Sequence, residues 1–139
     1  MAKKIQAKEI VVYWYGEYDE FHGLLVTHFN HQTNIEIGKQ LTSKDVFNTE
    51  DAQNYPVIVV DTMSKKFGFE NDLELLELII QVMPDKRVIA FNDRFDNDLM
   101  KQVNAMGAHG YFFRAATNLN DISNCINLVA KGETAFNYE

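Results

Sequence analysis

The run YPVIVVD, residues 55–61, limits most strongly what this chain can fold into. Its four consecutive β-formers, Val57 to Val60, show no alternation of apolar and polar residues, which predicts a strand buried on both faces. Strands of that kind are typical of parallel sheets that carry helices on both sides. Ligands of such sheets bind just beyond the carboxyl ends of the strands, where Asp61 lies. Asp61 is therefore the first candidate site residue.

Strand-like and helix-like segments alternate along the rest of the chain. The predicted strands are Ile10–Trp14, Ile35–Ile37, Val57–Val60, Arg87–Phe91 and Gly110–Phe113. The predicted helices are Asp19 to about Asn30, a short polar helix Ser43–Asn54, Asp72–Met83, Asp96–Met106, and a last helix capped by Asn118 and ended by Gly132. Five strands alternating with five helices predict a doubly wound parallel α/β sheet of the flavodoxin-like type, with three α/β/α layers and right-handed crossovers.

The composition fits one cytoplasmic domain. The chain has 139 residues, of which 46% are hydrophobic, enough for one domain over residues 1–139 with a core from about residue 8 to 133. Its 13 basic and 20 acidic residues give a net charge of −7, which disfavours direct nucleic-acid binding. The N-terminus predicts neither a signal peptide nor a membrane span. Cys125 cannot form an internal disulfide, in keeping with a reducing compartment.

Three stretches resemble the receiver domain of two-component response regulators, particularly receivers fused to helix-turn-helix output domains. They are YPVIVVD, DLELLELIIQVMPDKRVIAF and VNAMGAHGYFFRAATNLNDISNCINLVAKGE. The resemblance runs over residues 55–133 in unbroken register, and more loosely from Ile10. Asp61 and the Gly-Ala-x-Gly-Tyr turn into the fifth strand are its most diagnostic pieces. It implies a CheY-like (βα)5 fold and a role in signal transduction.

The same resemblance implies a phosphorylation chemistry for which this sequence lacks most of the residues. A receiver accepts a phosphoryl group from a histidine kinase on the residue matching Asp61, with Mg²⁺ held by two acidic residues after the first strand. Those positions read Trp14 and Tyr15. The hydroxyl residue and the lysine that contact the phosphoryl group are replaced by Asn92 and Arg114. We therefore expect a degenerate pseudo-receiver with no bound metal or other cofactor, no catalytic residue and no enzyme activity.

Several expectations concern the replaced positions. We expect Asp61 and Arg114 to form a standing ion pair, because a guanidinium can hold a carboxylate through two hydrogen bonds. Tyr111 matches the aromatic residue that swings in or out when receivers switch, and simple packing at the sheet edge is an equal alternative. Trp14 and Tyr15 either fill the lost metal pocket or present an apolar patch to a partner.

Two other groups receive structural interpretations. His28 and His31 look like half of a metal site, but no cluster of other ligands accompanies them, so a polar pair at the end of the first helix is favoured. Cys125 lies in the apolar stripe of the last helix, which favours packing over nucleophilic chemistry.

These patterns predict a phosphorylation-independent signalling module that acts through protein partners or as a homodimer, and that regulates transcription if a DNA-binding output domain lies outside this chain. The alternative is a working phosphoacceptor, with Asp61 modified by a histidine kinase and Glu17 or Asp19 supplying metal ligands. A flavin- or nucleotide-binding domain is disfavoured, since the loop YGEYDEF after the first strand has one glycine and three carboxylates, which would repel phosphate.

Overall fold

The computed structural model describes residues 8–17, 20–42, 47–63, 65, 68–93, 95–113 and 118–136. Five parallel strands form one sheet in the order β2-β1-β3-β4-β5. The strands are β1 Ile10–Tyr15, β2 Ile35–Leu41, β3 Val57–Asp61, β4 Arg87–Asn92 and β5 Gly110–Phe113. The helices are α1 Glu20–Gln32, α2 Thr49–Ala52, α3 Glu74–Val82, α4 Asn97–Met106 and α5 Leu119–Ala130. The predicted doubly wound α/β architecture is confirmed.

Two apolar layers enclose the sheet because side chains alternate along each strand. On one face, Ile58 and Val60 of β3 pack in a cluster that includes Leu76 of α3 and Val103 of α4. On the other face, Val57 and Val59 pack with residues of α1 and α5, among them Leu25, Phe29, Ile122 and Ile126. The four apolar residues of β3, Val57 to Val60, are all buried, as the uninterrupted run predicts.

Strand β2 is longer than the sequence predicts, because Gly38 does not end it. The pairing with β1 runs Val12 with Ile37 and then Tyr13 with Lys39, so Gly38 is the extra residue of a β-bulge. Val11 and the ring of Tyr55 lie so close that a Cβ on Gly38 would collide with both. Gly38 therefore marks a place where neighbouring side chains approach the backbone closely, and not the end of the strand.

Replacing Gly38 with alanine is expected to lower the free energy of unfolding by about 1–3 kcal/mol, since the added methyl group must displace packed side chains. Urea denaturation followed by circular dichroism measures the change. Gly23→Ala is the matched control: a Cβ there meets nothing within 4 Å, so this variant should be unchanged or slightly more stable. Equal stability losses in the two variants would contradict the packing described for Gly38.

The helix boundaries depend on local capping. Asp96 accepts a hydrogen bond from the Leu99 amide and starts α4, and Gly107, with φ of 107°, ends it. Asn118 accepts a hydrogen bond from the Asn120 amide and starts α5, as predicted. Helix α2 is shorter than predicted, because Asn48 caps it immediately before Thr49. Residues 43–46 of that prediction lie outside the described residues.

After α5 the chain returns to the sheet. Gly132 has φ of 98°, and the Glu133 amide bonds to the Leu128 carbonyl, which closes the helix. Ala135 then pairs in parallel with Gly110 of β5. Within the described residues, no helix has the length and apolar character needed to cross a bilayer.

Candidate functional site at the carboxyl edge of the sheet

Asp61 is the last residue of β3 and is 1% exposed. Its Oδ1 accepts a hydrogen bond from the Met63 amide at 2.8 Å, so one carboxylate oxygen closes the turn that leaves the strand. The buried run Val57–Val60 ends at Asp61, which therefore lies at the carboxyl edge of the sheet, as the sequence predicts.

The connection after Asp61 carries backbone strain. Leu73 has φ of 71°, a left-handed conformation that is unfavourable for a branched side chain. Its amide donates to the Thr62 carbonyl at 2.9 Å, which holds the start of α3 against the end of β3. The buried Thr62 hydroxyl has no hydrogen-bond partner among the described residues. The sequence gives no signal for either feature.

The acidic pair of a receiver would lie at the end of the first strand, and strand register shows which residues of this chain are there. Tyr15 pairs with Val60, so the next residue along the chain, Gly16, is level with Asp61. Trp14 and Tyr15 are 2% and 3% exposed and pack on opposite faces of the sheet. Of the two alternatives for these residues, an apolar patch presented to a partner is wrong, because both rings belong to the core.

Aromatic rings cover the face of the sheet toward which Asp61 points. Asp61 pairs with Phe91 in register, and alternation puts its side chain on the same face as Val57 and Val59. The Phe91 ring stacks on Phe112 at 5.4 Å with an interplanar angle of 8°, and lies 5.3 Å from Trp14. We call Trp14, Phe91, Phe112 and His22, which meets Trp14 edge-on at 5.6 Å, the ring cluster.

The Phe91 ring reaches across β3, which lies between β4 and β1. Its Cζ lies 2.8 Å from the position that a Cβ on Gly16 would take, and the Trp14 Nε1 lies 3.2 Å from the same position. Glycine is therefore required at residue 16, because any side chain there would collide with the rings that pack over this part of the sheet edge. Sequence reasoning missed Gly16 and Phe91, because neither carries a functional group.

His22 brings a titratable group into the ring cluster. It is buried in the first turns of α1, and desolvation lowers the pKa of its imidazole below the ordinary value. A neutral imidazole is therefore favoured beside the rings, and no cationic group is introduced there near neutral pH.

Asn92, the last residue of β4, is brought together with Tyr111 of the neighbouring strand β5. Burial raises the pKa of the Tyr111 phenol, and the nearby charge of Asp96 adds to the increase, while hydrogen bonds that the phenol oxygen accepts from the Asn92 side-chain amide and the Asp96 backbone amide oppose it. The Tyr111 ring packs in the cluster on the α3/α4 face. The two residues that the resemblance assigns to switching are thus in contact, with the tyrosine turned inward.

Two predicted participants lie outside the described residues. Arg114 belongs to the gap 114–117, so the ion pair of Asp61 with Arg114 stays a prediction. Asp19, the alternative metal ligand, lies in the gap 18–19.

In the part of the chain that is described, no group of three His, Cys, Asp or Glu residues is arranged to hold a metal ion. A Mg²⁺ ion prefers six oxygen ligands, and the positions level with Asp61 on β1 and β4 are a glycine and a phenylalanine.

The position of His28 differs from the prediction of a polar pair at the end of α1. It is buried, and its Nε2 lies 2.9 Å from the Ser123 hydroxyl oxygen, which joins α1 to α5. His31 is exposed. The expected polar pair at the end of α1 is therefore wrong, since the 3.6-residue period places His28 on the buried face with Leu25 and Phe29.

Cys125 is buried in α5, as expected for a packing residue, and burial raises the pKa of its thiol to about 12. At pH 8 the thiolate fraction of the native protein should be about 1000-fold lower than that of an unperturbed cysteine, and alkylation by iodoacetamide correspondingly slower. Mass spectrometry of timed samples measures this rate. Rapid labelling of the native chain, compared with the urea-unfolded chain as control, would contradict the burial of Cys125.

Comparisons with known proteins identify the fold. No protein-family model and no curated protein matches the chain. The receiver domain of RcsB from Salmonella enterica serovar Typhimurium, solved with a phosphomimetic, superposes with a TM-score of 0.75 at 11% identity over 92% of this chain and 93% of that one. The signal receiver domain of the putative response regulator NarL from Mycobacterium tuberculosis gives 0.71 at 12% identity, over 91% and 99%.

Longer response regulators are matched over part of their length. ChrA, from a heme-sensing two-component system, gives a TM-score of 0.68 at 13% identity, with 92% of this chain covering 60% of that one. At these identities the likeness concerns the backbone and carries no residue roles. The chain has the fold of the response-regulator receiver domain.

Proposed function

We propose that this chain is a receiver-like signalling module that acts through protein contacts, without conventional Mg²⁺-dependent phosphorylation of Asp61. The observation that carries this proposal is the Phe91 ring, which occupies the space between β4 and Gly16 on the face toward which Asp61 points. A Mg²⁺ ion and its waters need that space and need oxygen ligands. The module is a cytoplasmic binding protein and has no enzyme activity of its own.

The contact between Tyr111 and Asn92 supports a module with one preferred conformation. By the resemblance, Tyr111 matches the aromatic residue that swings in or out when receivers switch. Here the Asn92 side chain and the Asp96 backbone already bind the Tyr111 hydroxyl group. A tyrosine held inward without phosphate would present a constant surface to a partner.

Apolar residues on α1 and α5 support self-association as the contact. Leu24 on α1 is 63% exposed and Leu128 on α5 is 39% exposed, and the two helices pack together through His28 and Ser123. RcsB, which shares the fold, is known as dimers bound to DNA. By this analogy the module would form homodimers, with DNA binding left to an output domain in a longer protein.

Intact-mass spectrometry after incubation with acetyl phosphate and Mg²⁺ tests the proposal. The expected result is an unchanged mass, because Asp61 is buried and the residues level with it, Gly16 and Phe91, offer no carboxylate to a Mg²⁺ ion that would neutralise the attacking group. A receiver that retains its acidic pair serves as positive control. A gain of one phosphoryl group that is lost in Asp61→Asn would overturn the proposal and favour the alternative, in which Asp61 is a working phosphoacceptor.

A further inference from the structure

Helix α3 is apolar on almost every side, although part of it faces solvent. Its nine residues, ELLELIIQV, include six apolar side chains, of which Leu75, Leu76 and Ile79 are buried. Leu78 and Val82 are 46% and 49% exposed. A helix that is apolar all round is typical of an element covered on all sides. The outer surface of α3 therefore has the composition of a surface that is covered by another element.

The exposed pair lies on the flank of α3 that faces α2. Ala52 of α2 packs in the same cluster as residues of α3 and α4, and the strand order places α3 between the other two helices. Ile80 marks the flank toward α4, since it lines a groove together with Met106 of α4. Leu78 and Val82 stand about 160° round the helix from Ile80, at about 100° per residue, and so lie on the side of α2.

Helix α2 is too short to cover this flank. It has four residues, about 6 Å of helix, beside the nine residues and about 13 Å of α3. The Lys86 Nζ donates to the Gln53 carbonyl at 2.8 Å and to the Tyr55 carbonyl at 2.7 Å. These bonds tie the end of α2 to the turn after α3, so the two helices keep one arrangement there. We call Leu78 and Val82, with helix α2 beside them, the α2–α3 flank.

The charges of the two helices select the kind of partner. Helices α2 and α3 contain four carboxylates and no lysine or arginine: Glu50 and Asp51 lie on α2, and Glu74 and Glu77 lie on α3. A symmetric contact with a second copy of this chain would set carboxylates against carboxylates, which disfavours a dimer through this surface. A helix with one apolar side and lysine or arginine beside it would match both the exposed pair and the negative charge.

We propose that the α2–α3 flank is a docking site for a basic amphipathic helix of a partner protein, which packs on Leu78 and Val82 in the space that a longer α2 would take. Residues four apart form one ridge of a helix, and such a ridge packs between the ridges of a second helix. Basic side chains of the partner pair with the carboxylates of α2 and α3. This inference goes beyond the proposed function, because the flank is separate from α1 and α5 and serves whatever chemistry Asp61 performs.

The test titrates the full chain into a labelled synthetic peptide and follows fluorescence anisotropy at physiological ionic strength. The peptide is built of leucine and lysine, is amidated at its end, and has leucines at i, i+3, i+4 and i+7 to form one apolar helix face. Shifts of backbone amides in NMR spectra of the protein locate the bound peptide. One control peptide has the same composition in scrambled order, and another carries glutamate in place of lysine.

Variants of the protein separate the exposed pair from other apolar surface. Leu78→Ser with Val82→Ser removes the apolar contact and leaves the buried side of α3 unchanged. Leu24→Ser is the matched control, since it changes an exposed leucine on α1. Urea denaturation checks that each variant is folded. Should the double variant not fold, Glu50→Lys with Glu74→Lys decides by the same titration, because it reverses two of the charges that attract the peptide.

The expected result is equal affinity of the leucine–lysine peptide for the unaltered chain and Leu24→Ser, and an affinity at least about tenfold lower for the double serine variant and for both control peptides. The amide shifts should centre on α2 and α3. Equal affinity for all the proteins, equal affinity of the scrambled peptide, shifts centred on α1 and α5, or no binding would overturn the proposal. Self-association that the double serine variant loses would also overturn it, because a second copy would then be the occupant.

Discussion

Replacing Phe91 with alanine is expected to lower the free energy of unfolding by about 3–5 kcal/mol. The side chain is 3% exposed, and its ring touches Phe112, Trp14 and the space above Gly16. Its removal leaves a cavity that β1, β3 and β4 cannot close by small shifts, because strand pairing fixes their positions. Urea denaturation followed by the fluorescence of Trp14, the one tryptophan of the chain, measures the loss.

The matched control is Phe113→Ala, which removes the same ring from the edge strand. Phe113 is half-buried and meets Phe95 edge-on at 5.6 Å, so a smaller loss is expected. A loss below about 1 kcal/mol for Phe91→Ala, or one no larger than that of Phe113→Ala, would show that the Phe91 ring does not fill the face above Asp61.

Placing an acidic residue level with Asp61, by Gly16→Asp, is expected to destabilise the protein by roughly 2–5 kcal/mol. Its Cβ would lie 2.8 Å from the Phe91 ring, and its carboxylate would be buried among aromatic side chains. The same urea denaturation measures the change. Gly23→Asp is the control, since a Cβ at residue 23 meets nothing within 4 Å, and it should change stability by less than about 1 kcal/mol.

The double variant Gly16→Asp with Phe91→Ala tests whether the two effects share one cause. If the collision is with the Phe91 ring, the Gly16→Asp cost should fall by about 1–3 kcal/mol once the ring is absent. Additive losses in the double variant would mean that the residue 16 position and the Phe91 ring do not compete for the same space.

The architecture could be predicted from sequence because it depends on local patterns. The run Val57 to Val60 indicated a strand covered on both faces, and Asp96 with Gly107 bounded α4. Strand β2 was predicted too short, because the sequence alone does not distinguish a glycine inside a strand from a glycine that ends one. Only the positions of Val11 and Tyr55 explain why Gly38 is needed.

The site was predictable only where a residue carries chemistry. Asp61 and Asn92 end β3 and β4, and Asn92 is in contact with Tyr111 of β5. Phe91 and Gly16 could not be found, because their importance depends on a ring that crosses from one strand over another. The contact of His28 with Ser123 could not be found for a related reason, since Ser123 lies on a different helix.

The most direct measurement follows the backbone amides of residues 60–63, Asn92 and Tyr111 by NMR while Mg²⁺ and beryllofluoride, which mimics a phosphoryl group on a carboxylate, are added to the protein. Because the Phe91 ring fills the space beside Asp61 and the described residues level with it offer Mg²⁺ no carboxylate, we expect these amides not to shift up to millimolar Mg²⁺. Saturable, Mg²⁺-dependent shifts that disappear in Asp61→Asn would contradict a receiver fold that works without phosphate.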